Sequence, residues 1–176
     1  MTAGATDYVG VLQQAKAQGA KYVVIQNVSS PAAVVAKDIA AQKLDMTIVC
    51  LNWCADELFM TSAGPAAEGH LMIQPFAPPG IAKPGHQAIR EYCEGKGIDL
   101  DVKGLHFVQG WYTMHAMVKG IEQTVADGKE LTGPNIRAGL ETMPAVDTGG
   151  SGGLIRPHHG RFEVAPPELR AGCRAA

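Results

Sequence analysis

The sequence has no excess of either charge, since 15 Lys and Arg stand against 17 Asp and Glu in 176 residues. A net charge of −2 argues against a nucleic-acid partner, which needs a basic surface. No apolar run approaches the roughly 20 residues that a membrane-spanning helix requires. Residues 1–6 contain neither a charged start nor an apolar stretch, so we expect no signal peptide in the chain as given.

Cysteine is scarce, with four residues at positions 50, 54, 93 and 173. Their number and spacing predict neither a disulfide framework nor a zinc site. For the one close pair, Cys50 and Cys54, a metal or disulfide role competes with that of free buried thiols. The histidines have no matched Cys or carboxylate at catalytic spacing, so we expect no catalytic residues, no metal and no cofactor.

Hydrophobic residues make up 46% of the chain, and in its first third they alternate between helical and strand patterns. Residues 7–18 predict a helix that ends at Gly19. The YVVI run at 22–25 predicts a strand of a parallel sheet, and its four consecutive large side chains indicate cover on both faces. Further strands are predicted at 46–51 and 71–73, with a short helix at 55–62 between them.

A second helix follows the first strand. Ser30 is placed to cap it, and Pro31 suits its first position. Between strand and helix lie Gln26, Asn27 and Ser29, which occupy the strand's carboxyl end. In open α/β sheets ligands bind at this edge, although the same residues also suit a turn or a cap.

The second half of the chain begins with a segment that is unsuited to helices or strands. Residues 75–85 contain four prolines and two glycines in eleven residues and predict a crossing or a long loop. Helices are predicted at 87–96 and 135–143. Between these two lies the clearest amphipathic pattern, with an apolar stripe of Phe107, Trp111, Met114, Val118 and Ile121.

The end of the sequence has a different character. Residues 147–155 predict a flexible loop that runs into a short strand. Residues 161–176 are dominated by small residues, Arg and Pro without a clear period, which indicates an irregular tail.

Five segments, in this order, carry a resemblance to a known family. They are "GAKYVVIQ", "SPAAVVAKDIAAQKL", "AAEGHLMIQPF", "FVQGWYTMHAMVKGIEQ" and "DTGG.GGLI..HHG". Over residues 6–160 the sequence resembles the C-terminal portion of type I periplasmic solute-binding proteins, the branched-chain amino-acid receptors of ABC transporters.

The resemblance implies a periplasmic-binding-protein type I, or Venus-flytrap, α/β fold with a largely parallel sheet flanked by helices, present as a truncated C-terminal portion. Residues 1–75 would form part of the second lobe, and residues 76–131 would cross and return to the first lobe. Residues 132–160 would supply a final second-lobe helix and strand, before the tail at 161–176. Two lobes of this kind close around a ligand by a hinge motion.

The resemblance also implies a ligand site. It places Gln26, Asn27 and Ser29 at the cleft mouth and Asn52 and Trp53 at the next strand end, where amino-acid receptors of the family carry an acidic residue. In this sequence the acids Asp56 and Glu57 come slightly later, and Asp56 also suits the start of a helix. Tyr112 falls on an aromatic that lines the family's cleft, with Trp111 beside it. By the apolar stripe alone, Trp111 fits the core and Tyr112 lies one position off it.

The implied function is the substrate-binding component of an ABC transporter, with a small polar solute such as an amino acid as ligand and a membrane permease as partner. The resemblance implies a periplasmic or other extracytoplasmic location, and lobe surfaces left uncovered by truncation imply possible self-association. Two alternatives remain: a cytosolic small-molecule sensor with the same fold, and a flavodoxin-like enzyme. The glycine-rich run at 148–153 does not favour the enzyme, because it lacks the Lys-Ser/Thr ending of a phosphate loop.

Overall fold

The computed structural model describes residues 6–158 and 161–165 of the protein. The chain forms two compact units, which divide between Gln74 and Pro75. We call them the N-terminal unit and the C-terminal unit, and each contains a hydrophobic core of its own.

The N-terminal unit is an α/β structure around three parallel strands. Its elements are α1 (Val9–Ala17), β1 (Tyr22–Ile25), α2 (Ser29–Ala41), β2 (Thr47–Cys50), α3 (Glu57–Ala63), a 3-10 turn (Gly64–Ala67) and β3 (Leu71–Met72). The strands lie in the order β1-β2-β3, with every pair parallel. The predicted α/β fold with a parallel sheet is therefore confirmed.

Helix α1 ends where the sequence predicts. Gly19 follows its last turn with φ +85, a left-handed conformation that glycine adopts at little cost. Tyr8 and Leu12 are buried in the core of the unit, whereas Val11 is exposed. The predicted apolar face of α1 is thus only partly covered.

The parallel sheet is covered on one face. Val23, Ile25, Ile48, Cys50 and Met72 pack into a core with side chains of α1, α2 and α3. The opposite face, which we call the outer sheet face, comprises Tyr22, Val24, Thr47, Val49, Leu71 and Ile73. Tyr22 and Val24 are 63% and 64% exposed, so the expectation that β1 is covered on both faces is wrong. All helices of this unit within the described residues lie on the core side, which leaves the second face open.

The start of α2 also differs from the prediction. The helix begins at Ser29 with Val28 as N-cap, and no side chain caps it. Ser30 is exposed and Pro31 is the third helical residue rather than the first. The cap prediction fails because the helix starts one residue earlier than expected, so Ser30 lies inside it as the second helical residue.

The C-terminal unit is mainly helical. Its elements are α4 (His86–Gly95), α5 (Leu100–Lys103), α6 (Leu105–Ala126), α7 (Gly133–Thr142), β4 (Leu154–His158) and β5 (Arg161–Ala165). Residues 75–85 contain no helix or strand, as predicted. Strands β4 and β5 form an antiparallel pair. The expected irregular tail is therefore wrong for residues 161–165, while residues 166–176 lie outside the described residues.

Helix α6 buries a different stripe from the predicted one. Its buried residues are Leu105, Val108, Tyr112, Ala116, Gly120 and Thr124. In the predicted stripe, Met114 is 60% exposed, Val118 is exposed, and Phe107, Trp111 and Ile121 are partly buried. Both stripes satisfy a helical period, and contact with α7 selects the one that contains the small residues Gly120 and Thr124.

Candidate functional site

The carboxyl ends of β1 and β2 lie side by side in the N-terminal unit. Ile25 is in register with Cys50, and the backbone NH of Leu51 donates to the Ile25 carbonyl at 3.0 Å. The segments that follow the two strands therefore start at the same edge of the sheet. Six of the eight residues predicted to bind ligand lie on these segments: Gln26, Asn27, Ser29, Asn52, Trp53 and Asp56.

Two of these six residues bind each other inside the protein. The Ser29 hydroxyl donates to Asp56 Oδ2 at 2.5 Å, and both residues are nearly fully buried. The other carboxylate oxygen, Oδ1, accepts from the Phe59 backbone NH at 2.8 Å and so caps α3. Ser29 and Asp56 thus fasten the start of α2 to the start of α3, and the structure does not present them at the surface as ligand groups.

The other four residues are accessible. Gln26 is exposed, Asn27 and Asn52 are partly buried, and Trp53 is 52% exposed. Asn27 Oδ1 accepts from the Val28 backbone NH at 2.8 Å, which orients the amide group of its side chain. We call Gln26, Asn27, Asn52 and Trp53 the polar edge. Amides beside an indole face are a combination that can hold a small polar solute.

Cys54 positions this edge, a role that the sequence pattern does not show. Its buried thiol lies 3.4 Å from the Ile25 carbonyl and 3.7 Å from the Leu51 carbonyl. These contacts connect the turn after β2 to the end of β1. Burial, together with a hydrogen bond that the Cys50 thiol donates to the Cys54 sulfur, raises the pKa of the Cys50 thiol, which disfavours the reactive thiolate. Cys50, Cys54 and Cys93 are free buried thiols.

Tyr112 and Trp111, the remaining two predicted residues, lie on α6 in the C-terminal unit. Tyr112 is buried, and its hydroxyl oxygen lies 2.8 Å from the Gly85 carbonyl and 2.9 Å from the Thr148 carbonyl, either of which can accept its hydrogen. Burial raises the pKa of Tyr112. Trp111 is partly exposed, and its ring centroid lies 5.3 Å from that of Tyr92. The apolar stripe predicts Trp111 in the core and Tyr112 outside it. In the structure Tyr112 is the buried residue and Trp111 is the partly exposed one.

Trp111 lines a groove along α4 and α6 with a volume of about 590 Å³. Its walls are formed by Tyr92, His106, Phe107, Gly110, Trp111, Met114, His115 and Val118. The groove thus contains residues of the predicted stripe that the fold of this unit leaves partly or largely uncovered.

Gly85 permits the close approach around Tyr112. A Cβ atom on Gly85 would lie 1.9 Å from the Thr148 carbonyl oxygen and 2.4 Å from the Tyr112 hydroxyl. Any larger residue would push the loop at 147–153 away from the start of α4. The sequence signal for this contact is the glycine that follows Pro84, directly before the helix.

The described part of the chain offers neither a metal cluster nor a membrane span. In the residues that the structure describes, no three His, Cys, Asp or Glu side chains are grouped so that they could hold a metal ion. Nor is any helix within 6–158 and 161–165 long and apolar enough to cross a membrane.

Comparison with solved structures shows the same fold in several solute-binding proteins. The superposition with an ABC transporter substrate-binding protein from Aeropyrum pernix has a TM-score of 0.75 and 26% identity, and covers 89% of this chain and 42% of that one. A branched-chain amino-acid ABC transporter protein from Thermus thermophilus with bound valine gives a TM-score of 0.71 and 21% identity. That superposition covers 96% of this chain and 51% of the other. A fatty acid ABC transporter substrate-binding protein from Thermomonospora curvata gives a TM-score of 0.68 and 17% identity, and the superposition covers 89% of this chain and 40% of that one. This chain therefore spans about half the length of these structures or less.

Sequence comparison assigns the chain to a family. No curated protein matches it individually. The sequence profile of the family described as "Periplasmic binding protein" matches residues 1–164, nearly the whole chain. The parallel sheet of the N-terminal unit and the neighbours in the solved structures agree with this match. The chain belongs to the periplasmic binding protein family.

Proposed function

We propose that this chain is the substrate-binding component, or part of the substrate-binding component, of an ABC transporter. In this proposal the polar edge contacts a small polar solute such as an amino acid. The observation that carries it is that accessible amide side chains and an exposed indole lie on the two segments that follow β1 and β2 at one edge of the sheet, in a chain of this family.

The chemistry of the polar edge favours a zwitterion or an amide over an apolar ligand. Gln26, Asn27 and Asn52 offer both donors and acceptors, and a cation on the Trp53 ring would gain roughly 0.5 to 2 kcal/mol. The bound valine of the Thermus thermophilus protein supports the same class, whereas the Thermomonospora curvata protein is named for fatty acids. Because Asp56 is buried against Ser29, a ligand ammonium would meet amide oxygens and the indole rather than a carboxylate.

The mode of binding, the partner and the location in this proposal are those implied by the resemblance to the periplasmic binding protein family. Two lobes close on the ligand, the receptor docks on a membrane permease, the location is extracytoplasmic, and no reaction is catalysed. Within this scheme residues 1–75 are part of the second lobe, and residues 76–131, which include Trp111 and Tyr112, return to the first. We revise the placement of α7, because Gly139 approaches the Gly120 carbonyl of α6 so closely that α7 belongs with α6.

Chemical-shift mapping tests the proposal, because an 18.5 kDa chain suits amide NMR and the method detects weak binding. We expect valine, leucine or a small amide at millimolar concentration to shift the amides of residues 26–28 and 51–54 in a saturable way. Weak affinity is expected because these residues form one wall of a site. The result that overturns the proposal is the absence of shifts for every compound at about 50 mM, or shifts confined to residues elsewhere. A nanomolar affinity would contradict the one-wall interpretation.

A pair of variants makes this test specific. Trp53→Ala should weaken the shifts at the polar edge at least about threefold, since it removes the aromatic face. Leu58→Ala is the matched control, because Leu58 is equally exposed but lies on α3, outside the polar edge. Equal binding by wild type and Trp53→Ala would show that Trp53 does not contribute to the binding site.

A further inference from the structure

The turn that follows β2 carries two of the four polar-edge residues. The Cys54 backbone NH donates to the Leu51 carbonyl at 3.1 Å, which closes a four-residue turn with Asn52 and Trp53 at its central positions. The residues that come next are buried and lead into α3. The orientation of Asn52 and Trp53 therefore depends on what holds the closing end of this turn.

Two contacts that hold the closing end of the turn also serve other parts of the unit. The Cys54 thiol lies 3.4 Å from the Ile25 carbonyl at the end of β1, and Asp56 is bonded to Ser29 at the start of α2. Cys54 belongs to the hydrophobic core, and Asp56 caps α3. Loss of either residue would therefore disturb more than the turn.

Gln74 holds the same turn from the segment that follows β3. The Ile73 backbone NH donates to the Cys50 carbonyl at 2.9 Å, which ties this segment to the end of β2. From the next position, the Gln74 side-chain amide donates from Nε2 to the Ala55 carbonyl. Because β2 lies between β1 and β3, the turn is connected to the strands on both sides of its own.

The bond from Gln74 satisfies a carbonyl that α3 does not use. In a continuous helix the Phe59 NH would donate to the Ala55 carbonyl, four residues earlier, but it donates to Asp56 Oδ1 at 2.8 Å instead. Ala55 is fully buried, and a buried carbonyl that lacks a donor costs free energy. The Gln74 side chain supplies this donor from outside the turn.

We propose that Gln74 is a positioning residue for the polar edge, which fixes the turn at residues 51–54 and with it the orientation of Asn52 and Trp53. A turn that is fixed before binding does not have to be ordered by the ligand, and this raises affinity. The effect on ligand binding rests on the proposed function. The effect on the turn does not, because it exists without a ligand.

Amide relaxation measured by NMR on the ligand-free chain tests the effect on the turn. In wild type the Gln74 side-chain amide should have an order parameter above about 0.7, against less than about 0.6 for the exposed side chain of Gln13. Gln74→Met keeps the length of the side chain and removes the donor. It should lower the backbone order parameters of Asn52 and Trp53 from about 0.85 to below about 0.7.

Gln13→Met is the matched control for this substitution. Gln13 lies on α1 in the same unit, and its side-chain amide donates to Gln42 at 3.1 Å, away from the turn. The control should leave Asn52 and Trp53 as ordered as in wild type. A mobile Gln74 amide in wild type, or a turn that is equally ordered in the two variants, overturns the proposal.

Titration with valine or acetamide gives a second readout, which a purely structural role would not change. Where wild type binds at the polar edge, Gln74→Met should weaken the binding at least about threefold, and Gln13→Met should bind like wild type. Equal affinities of wild type and Gln74→Met contradict the role of Gln74 and leave the proposed function standing. If wild type binds neither compound, the proposed function fails, and the relaxation data decide on Gln74 alone.

Discussion

At the scale of single residues, Asp56 has the most influence on the candidate site. We expect Asp56→Ala to lower the free energy of unfolding by about 3 kcal/mol, because it removes a helix cap and leaves the buried Ser29 hydroxyl without its partner. Urea denaturation followed by circular dichroism measures this loss. The same variant should broaden or shift the amide resonances of residues 26–30.

Asp99→Ala is the matched control for this change. Asp99 also caps a helix, through bonds to the Asp101 and Val102 amides, but it is exposed and its bonds are local. Its loss should cost about 1 kcal/mol or less. Equal effects of the two substitutions would show that the buried bond to Ser29 contributes nothing.

The sequence predicts only one of the two roles of Asp56, its position at the start of a helix. Its position before an apolar run indicates a helix start, which is local information. Its bond to Ser29 joins residues 27 apart, and no local pattern predicts such a pair. The same limit explains why the contact of Cys54 with the Ile25 carbonyl has no signal in the sequence. For Asp56 and Cys54, prediction fails where a role depends on another element of the fold.

At the scale of elements, α6 illustrates what periodicity cannot decide. A helix with apolar residues on two faces has two stripes of equal period, and the sequence favours the one with larger side chains. The structure buries the stripe with Gly120 and Thr124 because α7 approaches there. Small residues let helices come close, so side-chain size alone misidentifies the packed face.

The contact between α6 and α7 gives a prediction at this scale. A Cβ atom on Gly139 would lie 2.4 Å from both the Gly120 carbonyl and the Thr124 hydroxyl. Gly139→Ala should therefore lower the free energy of unfolding by about 2 kcal/mol, despite the better helix propensity of alanine. Chemical denaturation measures the loss.

Gly110→Ala is the control, since Gly110 lies inside α6 and a Cβ atom added there would meet nothing within 4 Å. This change should raise the free energy of unfolding by about 0.5 to 1 kcal/mol. If Gly139→Ala were also stabilising, α6 and α7 could not pack as closely as described.

At the scale of the whole molecule, the order of helices and strands in the N-terminal unit follows from hydrophobic patterns. Three strands and three helices lie within a few residues of their expected positions, because each has a local period and a clear stop such as Gly19 or Gly64. The open sheet face could not be predicted in this way, since the sequence YVVI is compatible both with a strand covered on one face and with a strand covered on two faces. Strand β5 was missed although Phe162 and Val164 alternate with Arg161 and Glu163, because so short an alternation stands beside a segment rich in small residues, Arg and Pro.

One histidine in each unit predicts how the stability of the protein depends on pH. Each contains a histidine whose pKa is lowered by burial, His70 in the N-terminal unit and His86 in the C-terminal unit, where Arg90 and Lys83 lower it further. Below about pH 6.5 the unfolded chain binds protons that these folded histidines do not. Stability is therefore full above pH 6.5 and is lost as the pH falls from there through the folded pKa values. Each group contributes a slope of at most about 1.4 kcal/mol per pH unit.

His86→Phe separates the two contributions. His86 is almost fully buried and neither ring nitrogen has a hydrogen-bond partner of normal geometry, so a phenyl ring can replace it at small cost. Protection factors from amide exchange between pH 5 and 8 should then lose most of their pH dependence in α4 and α6 but keep it in β1 and β2. An unchanged pH dependence in α4 and α6 would assign the acid sensitivity of the C-terminal unit to other groups. Equal loss in both units would show that the two separate cores unfold as one cooperative structure.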